Sequence, residues 1–523
     1  MTLVLLLLIP FAAGLLAWQG EHVSKNTPRW IALIASLTVI ALGLVLWCAG
    51  DFSFAGGVPV WQSEFRMPWI ERFGIAIHLA IDGLGLLMVL LTGLLGVVAV
   101  LASWQEVQER VGLFHLNLLW ILSGVLGIFL AVDLFLFFVF WEAMLVPMYF
   151  LVALWGRDAP GGLTRMQASI KFMIYTQAGG LLMLLAILGL VFVHHDTTGT
   201  WTFALDKLRG TVMAPETEML LMLGFFIAFA VKLPIVPLHG WLADTHAAAP
   251  TAGSVDITGL LLKTAAFGLL RFALPLFPNA SLEFAPVAMA LAIVTIVWGG
   301  VLAFAQTHTK RLLAYASISH MGFILLGIYA GNLLGLQGTV ILMLAGALST
   351  GALFVIVGQV FERTGTFDTA PLGGLWTRLS LIPPFALFFA AATLGLPGLG
   401  NFVGEFLVLF GAWKVAPGFT AAATIGLVLA AVYALALVHR VFFGPAKTDA
   451  TLPGATPREA GVLALLAVLL IALGFYPQPA LDLSHSGMQA VEQQLHRPAA
   501  TADHGPIVIA PLLSAPPTGA PTP

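Results

Sequence analysis

Residues 217–244 read TEMLLMLGFFIAFAVKLPIVPLHGWLAD, an apolar run of membrane-spanning length interrupted by two prolines. The interruption is the segment KLPIVP (232–237), in which each proline removes a helical hydrogen bond. The carbonyls of Ala230 and Leu233, four residues before the prolines, are therefore predicted to be free. Unpaired backbone at membrane depth is tolerated only where protein or water satisfies it, so this stretch predicts a broken helix beside a hydrated site.

A second interrupted run, 381–413, contains GLPGLG (395–400), where the proline is predicted to free the carbonyl of Thr393. The two breaks lie five apolar runs apart. This spacing predicts two five-helix repeats, residues 113–276 and 277–443, and the odd number of helices makes the second repeat inverted relative to the first. Transporters commonly bind their ions where such repeats meet.

The composition predicts that lipid is the main solvent of the chain. Of its 523 residues, 59% are hydrophobic and only 9% are charged. The apolar runs are continuous rather than alternating, which favours membrane helices over a barrel. Fourteen helices are predicted, near residues 2–18, 29–49, 79–103, 113–131, 133–154, 167–193, 217–244, 255–276, 284–305, 311–330, 334–361, 381–413, 419–443 and 458–476.

The regions outside the repeats are predicted to be three N-terminal helices in residues 1–112, and a fourteenth helix with a polar tail in 444–523. The first run has no basic residue before it and no cleavage pattern, so it is interpreted as a retained helix. An even number of helices places both termini on one side. Twelve of the 22 Lys and Arg residues fall in odd-numbered loops, which puts both termini outside. The last twenty or so residues are expected to be mobile.

Several kinds of chemistry have no support in the sequence. The lone cysteine, Cys48, leaves no disulfide or thiolate cluster, so direct electron transfer is not expected. His239, Asp244 and His246 lack a further ligand at zinc-like spacing, which favours a structural role. The glycines of 395–400 follow no strand and lack the lysine of a nucleotide-binding loop. The net charge of −3 indicates no nucleic-acid partner.

Five ionisable residues carry the functional prediction. Glu142, Lys263 and His320 lie near the centres of their predicted spans, roughly 15 Å deep at 1.5 Å per residue. Lys232 adjoins the first break and Glu405 follows the second. Each charge at a helix centre costs on the order of 2.5 to 3.5 kcal/mol, so compensation is required. An ion pair between Glu142 and Lys232, with a hydrated interior around Lys263 and Glu405, supplies it and suits a proton relay.

Static roles compete with this hypothesis. Glu142 and Lys232 can act as a structural ion pair, and a buried histidine such as His320 is often held by a backbone carbonyl. Lys171 and Arg271, near the ends of their spans, are interpreted as snorkelling side chains, whose charged heads reach the membrane surface. Asp133 opens its span and is interpreted as a helix cap.

Six segments resemble the subunit M type of antiporter-like subunit in respiratory complex I, the proton-translocating NADH:quinone oxidoreductase. The segments are FWEAMLVP (140–147), PLHGWLADTH (237–246), APTAGSVD (249–256), LLLKTAAFGLLR (260–271), KRLLAYASISHMG (310–322) and LGLPGLGNFVGE (394–405). The resemblance covers the chain to about residue 479. The L and N subunits and the Mrp antiporters are similar, but they typically carry lysine near the position of Glu405.

The resemblance implies a role for each buried charge. Glu142 and Lys232 form the modulating ion pair, and Lys263 is the central proton carrier. His320 bridges onward, and Glu405 is the terminal group toward the outside. One departure stands out: the family usually has histidine where this chain has Gly346. The relay from Lys263 to Glu405 is then expected to use water in the vacated space, or to depend more on His320.

The resemblance also implies the setting of the protein. It places the chain in the bacterial inner membrane, between L-type and N-type neighbouring subunits, and assigns NADH, FMN, iron–sulfur clusters and quinone to other subunits. No cofactor is expected on this chain. Two alternatives remain at this stage: an Mrp-type cation/proton antiporter subunit, and a substrate transporter with a site at the membrane midplane. Glu405 and the absence of a polar substrate cluster favour the complex I function.

Overall fold

The computed structural model describes residues 1–50, 54–55, 58–59, 61–159, 162–445 and 452–496, and most of these residues are helical. The helices of the first half are α1 (Thr2–Gly20), α2 (Thr27–Ala49), α3 (Gly83–Ala102), α4 (Val111–Leu130), α5 (Leu134–Ala143), α6 (Leu145–Trp155), α7 (Arg165–Thr198), α8 (Leu205–Leu208), α9 (Pro215–Lys232), α10 (Leu242–Ala248), α11 (Thr251–Asp256), α12 (Leu262–Gly268) and α13 (Leu274–Leu276). Those of the second half are α14 (Pro278–Ala305), α15 (Thr309–Tyr329), α16 (Leu333–Thr364), α17 (Ile382–Thr393), α18 (Gly400–Val415), α19 (Pro417–Ala423), α20 (Ile425–Phe442), α21 (Pro457–Phe475) and α22 (Gln478–Leu495).

A small amount of other regular structure accompanies the helices. Short 3₁₀ turns occur at Glu71–Phe73 and Leu375–Thr377, and π-helical turns at Ile257–Leu261 and Leu269–Ala273. The strands are β1 (Phe54–Ala55), β2 (Val58–Pro59), β3 (Ser63–Ile70) and β4 (Ile75–Ile81). β3 and β4 form an antiparallel hairpin in which Ser63 lies opposite Ile81. The sequence did not predict this hairpin, which connects α2 to α3.

Twelve helical segments among the described residues are long and apolar enough to cross a membrane. They coincide with twelve of the fourteen predicted runs, so the prediction of a helical membrane protein is confirmed. The other two predicted runs, 217–244 and 381–413, are those in which a break was predicted, and each is divided into two helices. The total of fourteen spans and the inverted repeats remain predictions.

The first break separates α9 from α10. Beyond Lys232 the backbone turns through Leu233 to Trp241 before the helix resumes. The prediction that the Ala230 carbonyl is free is wrong, because it accepts a hydrogen bond from the Ile235 N–H at 2.9 Å. Pro234 has no N–H to donate, so the N–H of the following residue, Ile235, bonds to the Ala230 carbonyl in its place. The carbonyl of Val231 accepts a bond from the indole N–H of Trp241 at 2.8 Å, so a side chain also repairs the break.

The second break separates α17, which ends at Thr393, from α18, which begins at Gly400. Gly395 and Gly398 adopt φ values of 78° and 94°, in the left-handed region where a residue with a Cβ is strained. The N–H of Leu396 turns back to the carbonyl of Ala391 at 3.1 Å. The glycines on either side of the proline therefore allow the non-helical backbone that separates α17 from α18.

The fifth predicted run is also divided, into α5 and α6. Pro147 lacks the N–H that would bond to the Ala143 carbonyl, and α5 ends at Ala143. At the other end, the carboxylate of Asp133 accepts hydrogen bonds from the N–H groups of Phe135 and Leu136, both at 3.0 Å. The prediction that Asp133 caps this helix is confirmed.

The predicted polar tail contains a helix that the sequence analysis missed. α22 packs against α3 and α16, and its buried face includes Leu483, Met488 and Val491. The spacing of these residues over about two turns is that of an amphipathic surface helix. The part of the tail predicted to be mobile lies outside the described residues.

The prediction that Arg271 snorkels is wrong. Its side chain is buried and donates to Oδ1 of Asp82 at 2.5 Å, joining the end of the eighth predicted span to the start of α3. The guanidinium also lies 5.1 Å from the Phe267 ring centroid. Because the buried Asp82 carboxylate pairs with the Arg271 guanidinium inside the protein, this charge does not have to reach the membrane surface.

We expect Asp82→Ala to destabilise the protein by about 3–5 kcal/mol, because it leaves the Arg271 charge buried and unpaired. Thermal unfolding of the detergent-purified protein measures the effect. Asp196→Ala is the control, since the Asp196 side chain is 81% exposed and its loss is expected to change stability by at most about 0.5 kcal/mol. Equal midpoints for the two variants would contradict a stabilising role for the pair.

Candidate functional site

Four of the five predicted relay residues lie deep inside the protein. Relative exposure is 1% for Lys232, 1% for Lys263, 6% for His320 and 3% for Glu405. Glu142 is partly exposed near the end of α5. Charged groups are almost never this buried without compensation, so the immediate surroundings of each one indicate its role.

The predicted ion pair between Glu142 and Lys232 is not formed in this structure. Nζ of Lys232 and Oε1 of Glu142 each lack a hydrogen-bond partner among the described residues. Nζ instead lies 3.3 Å from the centroid of the Trp141 ring, in a cation–π contact. The two charges still interact electrostatically at longer range. Trp141, adjacent to Glu142 in sequence, thus occupies the contact expected for the carboxylate.

Lys263 is held by an irregularity in its own helix. Its Nζ donates a hydrogen bond to the carbonyl of Thr258 at 2.8 Å. Thr258 lies in the π-helical turn 257–261, where the backbone bonding pattern shifts by one residue. The Thr258 hydroxyl is also 3.1 Å from Nε2 of His246, whose ring stacks on Phe354. One threonine therefore connects the break in the seventh predicted span with the lysine of the eighth.

A cavity joins Lys263 to His320. Its polar lining also includes Thr258, Ser317, Thr350 and Asn401. Gly346 forms part of the wall, and the nearest atom that a Cβ there would meet is Nζ of Lys263 at 3.9 Å. The position at which the family usually has histidine is therefore open toward the lysine. Water needs such a polar space with several partners.

His320 and Glu405 are neighbours on the far side of this cavity. Nδ1 of His320 lies 3.6 Å from Oε1 of Glu405, and its Nε2 is 3.2 Å from the Tyr433 hydroxyl. The other carboxylate oxygen of Glu405 lies against the break, where a Cβ on Gly395 would approach it to 2.5 Å. The second broken helix thus provides the space in which the carboxylate is placed.

The broken seventh span carries a second set of charges. Asp244 of α10 accepts hydrogen bonds from Lys171 and Arg311, each at 2.7 Å. The Lys171 charge is therefore paired within the protein, and the position of its head at the membrane surface stays a prediction. Among the described residues, no group of three His, Cys, Asp or Glu side chains is arranged to hold a metal ion.

Comparisons with known proteins show the family to which this chain belongs. A family model described as "NADH:quinone oxidoreductase/Mrp antiporter, TM" matches residues 131–430. NADH-quinone oxidoreductase subunit M of Escherichia coli (strain K12) is 60% identical over 498 residues, which cover 94% of this chain and 98% of that protein. The chain belongs to the subunit M family of NADH-quinone oxidoreductases. The resemblance inferred from the six sequence segments is confirmed.

Other relatives of this subunit M family member extend the comparison. The subunit M of Pseudomonas aeruginosa is 59% identical, over 95% of this chain and 98% of that protein. A chain of respiratory complex I from Thermus thermophilus matches with a TM-score of 0.84 and 31% identity, covering 95% of this chain and 100% of that chain. A chain of the Mrp complex from Dietzia sp. shares the fold, with a TM-score of 0.79 at 24% identity, and this chain covers 52% of it.

Sequence reasoning missed one buried carboxylate of this subunit M family member and three residues that contact the candidate site. Asp256 is fully buried, and neither of its carboxylate oxygens has a hydrogen-bond partner among the described residues. Trp141, Thr258 and Tyr433 contact the predicted relay residues directly. Asp256 could have been identified from the sequence, because it is a charged residue inside a predicted apolar run. The other three contacts depend on how helices pack, which residue spacing does not reveal.

We expect Trp141→Leu to destabilise the protein and to change proton pumping, because it removes the ring beneath the Lys232 charge. A desolvated cation–π contact is worth about 2 kcal/mol. Trp141→Phe is the matched control: it keeps a ring, and the Trp141 indole N–H has no hydrogen-bond partner to lose. Thermal unfolding and proton pumping in membrane vesicles test both variants. Indistinguishable behaviour of Leu and Phe would show that the ring does not support Lys232.

Proposed function

We propose that this chain is the proton-translocating, antiporter-like subunit of the membrane arm of a respiratory NADH:quinone oxidoreductase. Its relay residues are Glu142, Lys232, Lys263, His320 and Glu405. The observation that carries the proposal is the arrangement around the central cavity. Lys263 and His320 line one polar cavity, and Glu405 lies 3.6 Å beyond His320.

The arrangement supports a stepwise transfer. Protonated Lys263 is stabilised by the Thr258 carbonyl, which can accept a hydrogen bond but has no proton to give. The proton passes to water in the cavity and then to His320, which has a second ring nitrogen facing Glu405. Glu405 accepts it and releases it outside. Gly346 leaves room for the water that the family's usual histidine would replace.

The charges near the first break modulate this path. Lys232 is buried, and its positive charge disfavours a second positive charge on Lys263. Motion of Glu142 toward Lys232 would neutralise that charge and favour protonation of Lys263. Separation of the pair, with Lys232 on Trp141 as in this structure, would favour release. A change in the separation of Glu142 and Lys232 would thereby alter the protonation of Lys263.

The energy for transport is proposed to come from partner subunits. NADH, FMN, the iron–sulfur clusters and quinone are assigned to them, with L-type and N-type subunits as direct neighbours in the membrane. The composition supports this division, since the chain's single cysteine cannot assemble a cluster. The chain would therefore convert conformational energy into proton transport and carry out no redox step.

The orientation proposed for the chain follows its basic residues. Both termini lie on the periplasmic side of a bacterial inner membrane, as the positive-inside rule indicates. Residues 113–276 and 277–443 are proposed to be inverted repeats, supported by one broken helix in each. The Mrp-type alternative is less favoured, because a carboxylate, Glu405, stands where those proteins typically carry lysine.

We expect Lys263→Ala to lower proton pumping by at least ~10²-fold, the lower range of what a positioned proton-transfer group contributes. Assembly should persist, because the lysine projects into a cavity. Proton uptake and NADH:quinone activity of the assembled complex in inverted membrane vesicles measure the effect. Lys414→Ala, at the exposed end of α18, is the control and should pump normally. Near-normal pumping by the Lys263 variant would refute the relay.

Glu405 is tested by a pair of substitutions. Glu405→Lys keeps a titratable group of a kind that relatives carry, and we expect it to preserve a good share of pumping. Glu405→Leu has similar bulk but cannot ionise, so we expect it to block the path. A purely structural carboxylate would behave in the opposite way, because lysine would then add a second positive charge in a poorly solvated site. A Leu variant that pumps normally, or a Lys variant that fails to assemble, excludes the terminal role.

A further inference from the structure

Two adjacent glycines in α7, Gly179 and Gly180, face different neighbours. A Cβ built at Gly179 would meet Ala228 and Val231 of α9 at 3.3 and 3.5 Å. A Cβ built at Gly180 would lie 1.7 Å from Oε1 of Glu142. Real Cβ atoms essentially never approach another atom within 3.0 Å, so the Glu142 carboxylate occupies the space of an absent side chain.

The surroundings of Gly180 all belong to the charge-bearing segment of α5. The three atoms nearest to its built Cβ are Oε1 and Cδ of Glu142 and Cδ1 of Trp141. Gln177 lies three residues earlier on the same face of α7, and its side chain interacts with the Glu142 carboxylate. Gly180 therefore forms a notch, bordered by Gln177 and Trp141, that holds the carboxylate.

We propose that Gly180 is a positioning residue for Glu142. This inference rests on the proposed function, in which Glu142 modulates the relay through Lys232. The notch holds the carboxylate in the separated arrangement, while Trp141 holds the Lys232 ammonium. Because the interaction of two charges depends on their separation, the depth of the notch sets how strongly Glu142 acts on Lys232.

A methyl group at position 180 would force the carboxylate to move. To restore a 3.0 Å contact, Oε1 of Glu142 must shift by roughly 1.3 Å or more, the difference between 3.0 and 1.7 Å. Glu142→Asp shortens the side chain by one methylene and withdraws the carboxylate from the notch. An aspartate should therefore tolerate the added methyl group better than glutamate does.

The experiment compares Gly180→Ala, Gly179→Ala and the double variant Gly180→Ala/Glu142→Asp in the complete complex, with Glu142→Asp and Glu142→Gln alone as references. We expect Gly180→Ala to lower proton pumping about tenfold, within the ~10²-fold that a misplacement of about 1 Å can cost. Gly179→Ala makes the same change in helix propensity without meeting a charged group, and should stay close to wild type. The double variant should pump better than Gly180→Ala alone, a non-additive result that marks direct coupling.

The outcomes separate this inference from the proposed function. Normal pumping by Gly180→Ala with impaired Glu142→Gln overturns the positioning role and leaves the relay intact. Normal pumping by both variants also removes Glu142 from the relay. Equal loss in Gly179→Ala and Gly180→Ala, or no recovery in the double variant, indicates helix packing alone and overturns the inference.

Assembly is measured in parallel on native gels. If Gly180→Ala fails to assemble but the double variant assembles, the clash lies with the carboxylate, and the proposal is supported. If neither assembles, the added methyl group meets something other than the Glu142 side chain, and the proposal is wrong.

Discussion

The cost of placing a charge in a medium of low dielectric constant governs this structure. A buried ion needs a partner, and the partner determines whether the ion is static or able to exchange a proton. Arg271 has a carboxylate, Asp82, and forms a fixed pair. The residues of the proposed relay have weaker partners: an aromatic face for Lys232, a backbone carbonyl for Lys263 and a histidine at 3.6 Å for Glu405. None of these partners is a fixed counter-charge of the kind that Asp82 provides for Arg271, and this difference supports the proposed relay.

Irregular backbone supplies many of these partners. The π-helical turn 257–261 contains the Thr258 carbonyl that binds Lys263, and the break at Gly395 creates space beside Glu405. The break after Lys232 is repaired by the Trp241 indole at the Val231 carbonyl. Regular membrane helices satisfy their backbone internally and offer no such groups. The departures from regular helix are therefore where the polar chemistry of this protein is located.

Glycines leave space beside two residues of the proposed relay. Gly346 leaves an opening toward Lys263, and Gly180 leaves the notch that contains the Glu142 carboxylate. At Gly180 the Glu142 carboxylate occupies the space of the absent side chain, whereas at Gly346 the space is open toward the Lys263 ammonium. The same residue type at Gly395 instead satisfies a positive φ of 78°. These three glycines look alike in the sequence, and only their neighbours distinguish them.

The amino-acid sequence alone was enough to predict the membrane environment, the twelve helices of membrane-spanning length and the two broken runs. Hydropathy, proline and charge act locally along the chain, so their consequences can be predicted residue by residue. The partners of the buried charges depend on how the whole chain packs: Asp82 contacts Arg271, Asp244 contacts Lys171, and Trp141 rather than Glu142 contacts Lys232. The hydrogen bond from the Ile235 N–H to the Ala230 carbonyl and the packing of α22 on α3 also depend on the tertiary structure. Such contacts depend on how helices distant in sequence rotate and pack against one another, and no local pattern encodes that geometry.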